Sequence, residues 1–340
     1  MDRLKYSLTK PWFSHEESKA ATKVLESGWI AEGKATEHFE QRLAQIVGAR
    51  YAVAVCNCTV ALELALRAHG IHGEVAIPDF THSATPLAVI NAGCKPVLVD
   101  VSLETFNYAN HTGHSPIVSM PVSWGGNPIV EYPRCFIIED AACSLGTSYR
   151  NVKTGSQFTT CFSFHPRKLV TCGETGAVVT NDEEIAEKVR ALKWFGKDGG
   201  NYKVTDILTA IGIVQLGRLK QIVDRRREMA KIYDDLLEHV NGVDPPSHIL
   251  DSVQTFQTYG VLVKKASRDR AIRKLAVKGI ETQIGTTALH CLPQFAHLKR
   301  YGKLERSETL YRRMLALPMA YDMTEEDQKL VVAELKNELA

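Results

Sequence analysis

The amino-acid sequence predicts an α/β protein with a mostly parallel sheet and a second, smaller lobe. Apolar segments with strand character alternate with helical segments between residues 51 and 100, a pattern typical of a parallel sheet covered by helices on both faces. The chain has 340 residues. Because single cores stop growing at about 250 to 300 residues, a second lobe is expected.

The elements of the predicted large lobe follow in order. Ser14 and Glu17 have the spacing of a capping box and the helical pattern stops near Gly28, so we expect a short N-terminal arm and one helix. Helical segments are also predicted at 60–68 and 86–91. Strands are predicted at 51–55, 74–78, 96–100, 116–120, 135–140, 160–164 and 177–180.

The stretch between the fourth and fifth predicted strands, 121–134, has only 14 residues, so its crossover helix should be short or missing. Helices are predicted at 182–194 and at 205–239, the latter with a possible kink at Gly217. Beyond the turn-rich stretch 241–248 the pattern changes. We therefore predict a large domain, 1–240, and a small α+β C-terminal domain, 241–340, with a strand at 256–263 and helices at 267–278, 306–316 and from Thr324 onward.

Charge and composition disfavour several function classes. The 41 basic and 39 acidic residues leave a net charge of +2, so a nucleic-acid partner is not expected, and the basic run 225–228 fits a solvated helix face. No apolar run is long enough for a membrane span, and the N-terminus lacks the core of a signal peptide. The eight cysteines lack CxxC spacing, so neither a metal site nor an oxidising compartment is indicated. A cytoplasmic location is expected.

Residues 28–35 come close to the phosphate loop G-x-x-x-x-G-K-[ST]. However, Ala35 has no hydroxyl for a magnesium ion, and the glycines follow a predicted helix rather than a strand. A nucleotide hydrolase is therefore disfavoured.

Two polar residues stand where strands meet helices or loops. Thr59 opens a helix directly after a strand, where free amides favour an anion; it can cap the helix and offer its hydroxyl to a phosphate, although a plain helix cap is the common case. Asp140 follows a buried strand at the edge where α/β sheets bind ligands. A buried carboxylate needs a partner, either an arginine or backbone amide or a cationic ring nitrogen.

Lys168 lies at the end of another apolar strand. A buried lysine is expected to have a lowered pKa, and its neutral amine can form a Schiff base with an aldehyde. More commonly, however, such a lysine is a surface residue whose aliphatic chain packs on apolar groups while its amine stays in water. Ser163 precedes it with Ser-x-x-x-x-Lys spacing and could bind the same phosphate as Thr59. Together, an anion site, an acid and an amine are what pyridoxal phosphate requires.

The segments SGWIAEG (27–33), IIEDAACSLGT (137–147) and FSFHPRKLVTCGETGAVVTND (162–182), with others from about residue 7 to the C-terminus, resemble the DegT/StrS family of pyridoxal-phosphate sugar aminotransferases. The resemblance implies the aspartate-aminotransferase fold (fold type I), with a mixed seven-stranded sheet in the large domain. It makes Lys168 the Schiff-base and proton-transfer lysine and Asp140 the partner of the ring nitrogen. It also implies these phosphate ligands: Thr59, Ser163, the backbone at Cys58 and, from the neighbouring subunit of a homodimer, Asn201.

Several positions depart from the family pattern. His82 stands where an aromatic residue usually stacks on the cofactor, and Cys143 stands where Gln or His is usual near the phenolic oxygen. Cys58 replaces a glycine beside the phosphate. Gly285 and Thr286 replace a His-Tyr pair, while His290 is retained. Cofactor binding is still expected, with an altered periphery, and the stretch 121–134 is shorter than is common in the family.

The resemblance implies ping-pong transfer of an amino group, with L-glutamate as the expected donor, to a keto group on a nucleotide-linked deoxysugar. Two alternatives stay open: a sugar dehydratase, whose relatives carry His in place of the lysine, and a non-catalytic scaffold or regulator. The sequence does not specify the nucleotide, the sugar, the carbon or the stereochemistry. It assigns no role to His165 and Arg167, and the basic residues 264, 265, 268 and 270 fit either a diphosphate site or a solvated helix start.

Overall fold

A computed structural model describes residues 5–108, 116–195, 198–264 and 268–339. None of the helices in these ranges combines the length and apolar composition needed to span a lipid bilayer. The ten α-helices are α1 (His15–Ser27), α2 (Lys34–Val47), α3 (Cys58–Ala68), α4 (Ala84–Asn91), α5 (Glu183–Lys193), α6 (Asp206–Gly217), α7 (Leu219–Leu237), α8 (Arg268–Val277), α9 (Glu305–Arg313) and α10 (Glu325–Leu339).

Sixteen strands lie in the same ranges, many of them only two residues long. They are β1 (Tyr51–Val55), β2 (Glu74–Pro78), β3 (Phe80–Thr81), β4 (Lys95–Val99), β5 (Val118–Ser119), β6 (Phe136–Asp140), β7 (Ser148–Tyr149), β8 (Val152–Lys153), β9 (Thr159–Ser163), β10 (Gly176–Thr180), β11 (Val243–Asp244), β12 (Ser252–Val253), β13 (Tyr259–Val263), β14 (Thr287–Ala288), β15 (Lys299–Tyr301) and β16 (Met314–Leu317).

The central sheet has the order β1-β10-β9-β6-β5-β2-β4-β15. Strand β10 runs antiparallel to both of its neighbours, and all other neighbours in the sheet are parallel. The α/β class with a mostly parallel sheet is therefore confirmed. Seven of the strands are the predicted ones, and β15 adds an eighth at the edge, where only three residues pair with β4.

Helices cover both faces of this sheet. Val53 and Val55 of β1 belong to a buried cluster with α3, α4 and α5. Ala52 and Ala54 of the same strand belong to a second cluster with α2, α6 and α7. Since successive side chains of a strand point to opposite faces, one apolar strand supplies both layers.

The connection between β5 and β6 contains no α-helix, only a 3₁₀ turn at Trp124–Gly126, as predicted. The side chain of Asn107 holds this turn: its Oδ1 accepts from the Trp124 amide at 2.8 Å, and its Nδ2 donates to the carbonyl of Pro128 at 2.9 Å. Residues 121–129 are buried, so the short connection is a packed wall rather than a surface loop.

Helix α2 was not predicted, and the expectation of a single helix in the N-terminal segment is wrong. Its N-cap residue is Gly33, which has no side chain to cap the helix. Asp206 supplies the cap instead: its carboxylate accepts from the amides of Gly33 (2.8 Å), Ala35 (3.1 Å) and Thr36 (3.0 Å), and from the Thr36 hydroxyl (2.7 Å). A local sequence pattern could not identify this cap, because Asp206 lies far along the chain from the start of α2.

The predicted helix 205–239 is divided into α6 and α7 at Arg218, which confirms the kink. A third buried cluster lies further along, between the second half of α7, α8, α10, β13 and β16. The predicted helix 306–316 ends early, because residues from Met314 onward pair with β13 as β16. The boundary between residues 240 and 241 stays a prediction.

Candidate active site

A cavity of about 660 Å³ opens beside the carboxyl ends of β6 and β9 and the start of α3. Seven of the eight predicted site residues line it: Cys58, Thr59, His82, Asp140, Cys143, Ser163 and Lys168. The eighth, Asn201, is exposed and does not line the cavity of its own chain. Its action in a neighbouring subunit stays a prediction.

The start of α3 forms one end of the cavity. The helix cap is Asn57, whose side chain accepts from the Val60 amide at 2.9 Å, so the suggestion that Thr59 caps the helix is wrong. Among the residues that the structure describes, the Thr59 hydroxyl has no hydrogen-bond partner, and Ser163 uses its oxygen only as an acceptor from the His165 amide. Two hydroxyl donors and a helix N-terminus are therefore available to an anion.

Gly176 allows the start of α3 to lie this close to the sheet. A Cβ atom on Gly176 would lie 2.3 Å from the carbonyl carbon of Asn57 and 2.5 Å from the amide nitrogen of Cys58. Gly176 also pairs with Ser163 across β10 and β9. The absence of a side chain at this position thus brings the helix N-terminus and the Ser163 strand end together.

Asp140 ends β6 and is only 4% exposed. Its carboxylate accepts from the Thr85 hydroxyl at 2.9 Å and from the Ala142 amide at 3.1 Å. Burial raises the pKa of Asp140, and these two bonds and the charge of Lys168 oppose that rise. A buried acid with two neutral donors retains a strong preference for a nearby cation, as a protonated ring nitrogen would provide.

The amine of Lys168 lies 3.1 Å from the Cys143 sulfur. Burial favours the neutral amine, but the thiols of Cys143 and Cys58 and the carboxylate of Asp140 outweigh it, so the pKa of Lys168 is raised from its usual 10.5. The prediction of a lowered pKa is therefore wrong in these protein surroundings. The sequence indicates burial of the lysine but not that folding places the Cys143 sulfur beside the amine.

His82 is exposed at the rim of the cavity, beside the start of α4. Its Nδ1 accepts a hydrogen bond from the Ala84 amide at 3.1 Å. An accepting ring nitrogen carries no proton, so a neutral ring has its proton on Nε2. The stacking role predicted for His82 stays a prediction.

Residues 283–287 form another part of the wall. A Cβ atom on Gly285 would lie 2.2 Å from the Met314 sulfur and 2.9 Å from Cζ2 of Trp124. A side chain at position 285, where the family pattern has one member of a His-Tyr pair, therefore has no room, because Trp124 and Met314 occupy that space. The glycine was visible in the sequence, but the residues that fill the space beside it were not.

Three further features predicted from sequence lie outside the cavity. His290 is bonded through Nδ1 to the buried Asp79 at 2.7 Å and does not line the cavity. Lys264 pairs with Asp244, and Arg268 donates to the Tyr311 carbonyl, so these cations do not reach it either. Residue 265 lies outside the described residues.

These surroundings fit pyridoxal phosphate. Within the described part of the chain, the Thr59 hydroxyl lacks a partner and the buried Asp140 carboxyl has no cationic bond partner, while the Lys168 amine borders the same cavity. These groups match the anion, the ring nitrogen and the aldehyde that the cofactor presents.

Comparison with known proteins also indicates an enzyme that uses pyridoxal phosphate. Residues 12–336 match the DegT/DnrJ/EryC1/StrS aminotransferase family. The chain is 33% identical to GDP-perosamine synthase of Caulobacter vibrioides, with 98% of each chain covered.

Two solved structures are similar over most of their length. DesI, determined in the presence of its TDP-sugar product, is 28% identical with a TM-score of 0.90, covering 99% of this chain and 93% of that one. S. venezuelae DesV in complex with a ketimine intermediate is 28% identical with a TM-score of 0.88, covering 95% and 94%. The chain belongs to the DegT/DnrJ/EryC1/StrS aminotransferase family and is a pyridoxal-phosphate-dependent aminotransferase.

Proposed function

We propose that this enzyme transfers an amino group from L-glutamate to a keto group on a nucleotide-linked deoxysugar. The observation that carries the proposal is the convergence of Lys168, Asp140, Thr59 and Ser163 on one cavity. The named activity of the Caulobacter relative and the TDP-sugar of DesI support a nucleotide sugar as the acceptor.

Each residue has a distinct task in this proposal. When bound, pyridoxal phosphate supplies an electron sink for the charge that develops at the reacting carbon of the substrate. The Thr59 and Ser163 hydroxyls and the amides at the start of α3 hold its phosphate. Asp140 keeps the ring nitrogen protonated. This division explains why a buried acid and two hydroxyls that can still donate face the same cavity.

Lys168 performs the proton transfers. Its amine would remove a proton from the donor's α-carbon in the first half of the cycle and would deliver a proton to the sugar carbon in the second half. Removing that proton requires the neutral amine. Burial favours that neutral form, whereas Cys143, Cys58 and Asp140 beside the amine favour the charged form.

We include in the proposal a cytoplasmic homodimer in which Asn201 completes the neighbouring site. Trp29 is 63% exposed and Phe195 is 71% exposed. The 2.7 Å ion pair between Lys193 and Glu32 brings their two segments together. Large exposed apolar side chains favour a protein partner, here a second copy.

The function is tested with purified holoenzyme. We expect its visible absorbance to fall on addition of L-glutamate and to return with a keto-sugar nucleotide, while the amino sugar appears by mass spectrometry. A dehydratase would instead release water from the sugar without consuming glutamate. A chain that binds no cofactor would reject both the transaminase and the dehydratase.

Lys168→Ala tests the assigned residue. It should abolish turnover and the borohydride-reducible link between cofactor and protein, because no other amine is assigned to that position. Lys188→Ala, at an exposed site paired with Glu184, is the matched control and should retain both. Turnover in Lys168→Ala at the wild-type rate would reject the role.

A further inference from the structure

Arg167 lines the cavity next to the reactive lysine and is held at three points. Its amide donates to Nδ1 of His165 at 3.2 Å, and its carbonyl accepts from Nε2 of Gln257 at 2.7 Å. Its guanidinium donates through Nη2 to Oε1 of Gln283 at 2.7 Å. Gln257 is 7% exposed, so the arginine backbone is anchored to a buried side chain.

The guanidinium has hydrogen-bonding capacity left over. An arginine guanidinium has five N–H donors, and in Arg167 one N–H of Nη2 is bonded to Gln283. No carboxylate pairs with Arg167 among the residues that the structure describes. A planar fork with open donors is suited to a carboxylate or phosphate, which it can bind through two bonds.

The other charged groups around the cavity already have partners or tasks. Asp140 is bonded to Thr85 and Ala142, and Glu174 lies 3.6 Å from His165. Lys168 is the reacting amine. Among the described residues that line the cavity, Arg167 is thus the permanent cation left for an anionic part of a substrate.

The position of Arg167 favours the amino donor over the diphosphate of the acceptor. Consecutive Cα atoms are about 3.8 Å apart, so Arg167 and Lys168 start from nearly the same place. In an α-amino acid the carboxylate is bonded to the carbon that Lys168 must deprotonate. In a nucleotide sugar the diphosphate is separated from a reacting ring carbon by part of the sugar.

We propose that Arg167 binds a carboxylate of the amino-acid donor, with Gln283 orienting the guanidinium. This inference rests on the proposed transaminase function and adds a determinant of donor specificity.

The test measures donor binding apart from turnover. Glutarate, a dicarboxylate without an amine, is titrated into the holoenzyme by calorimetry, and the concentration of L-glutamate that half-saturates the first half-reaction is measured by single-turnover absorbance. Arg167→Gln should weaken both by about ten- to a hundredfold, the range expected for losing a charged hydrogen bond. Half-saturation by the keto-sugar nucleotide should change less than about twofold.

Three variants accompany it. Arg167→Lys keeps the charge but loses the fork, so it should fall between the wild type and Arg167→Gln. Gln283→Glu should pair with the guanidinium and weaken glutarate binding while leaving the arginine in place. Arg42→Gln, which removes an exposed arginine bonded to Gln45, should bind glutarate like the wild type.

The outcomes separate this proposal from the function on which it rests. Unchanged glutarate and glutamate binding in Arg167→Gln, or no glutarate binding by the wild type, would overturn the proposal even if transamination is demonstrated. Weakened saturation by the nucleotide sugar alone would assign Arg167 to the diphosphate and would also overturn it. If no amino donor supports turnover, the proposed function fails, and the glutarate comparison still decides whether Arg167 binds a carboxylate.

Discussion

Replacing Gly176 by alanine should damage phosphate binding without removing any phosphate ligand. The new Cβ would lie 2.3 to 2.5 Å from backbone atoms of Asn57 and Cys58, whereas ordinary contact begins at 3.4 Å, so the start of α3 must move by about 1 Å. A misplacement of about 1 Å can cost about a hundredfold in a positioned site. The backbone amides at the start of α3 and the Thr59 hydroxyl would move together.

The assay compares two ligands that differ by the phosphate. For Gly176→Ala we expect the dissociation constant of pyridoxal phosphate to rise about ten- to a hundredfold, since at least one charged hydrogen bond is lost. The affinity for pyridoxal, which lacks the phosphate, should change much less. Gly217→Ala is the matched control, because nothing lies within 4 Å of a Cβ there and helical alanine is favoured over glycine. Equal affinity of Gly176→Ala and wild type for pyridoxal phosphate would refute the reasoning.

Two further predictions concern stability. Asp206→Ala should lower the free energy of unfolding in urea by about 2 to 4 kcal/mol, because the capping bonds of α2 are lost. Asp206→Asn should lower it by less. An unchanged free energy of unfolding in both variants would contradict the capping role. Burial raises the pKa of Glu139 to about 7, from 4.5 in the unfolded chain. Between these two pH values the unfolded chain binds fewer protons than the folded chain, so the free energy of unfolding falls as pH rises from 4.5 to 7. The free energy of unfolding of Glu139→Gln, measured relative to wild type by urea unfolding at each pH, should therefore rise by about 3 kcal/mol between pH 4.5 and pH 8. A constant difference between the two proteins would show that Glu139 does not titrate in this range.

Features determined by local pattern were predictable from the sequence. The seven apolar strands, the break at Gly217 and the missing crossover helix depend on composition and spacing within short windows. Thr59, Asp140, Ser163 and Lys168 were predictable because each stands near the point where a strand ends or a helix begins, whereas Cys58, His82 and Cys143 were implied by the family resemblance. Such positions gather at one edge of a parallel sheet whatever the detailed packing.

The features that were missed depend on distant partners. Helix α2 has a glycine at its N-cap and is capped by Asp206 from much further along the chain. The direction of the Lys168 pKa depends on Cys143, which folding brings to 3.1 Å from the amine. Strand β16 appeared helical because its pairing with β13 is not visible in its own sequence. Tertiary contacts overrode local preference in each case.

The contact between Gly285, Trp124 and Met314 has a consequence for how this pocket can change over evolution or by engineering. A larger residue at position 285 would collide with both neighbours, and shrinking Trp124 alone would open a void beside a glycine. Either single step is therefore unfavourable, while a larger residue at position 285 combined with a smaller one at 124 conserves volume once the flexible Met314 side chain has shifted. The shape of this wall of the cavity should accordingly change through coupled substitutions in the short connection and in residues 283–287.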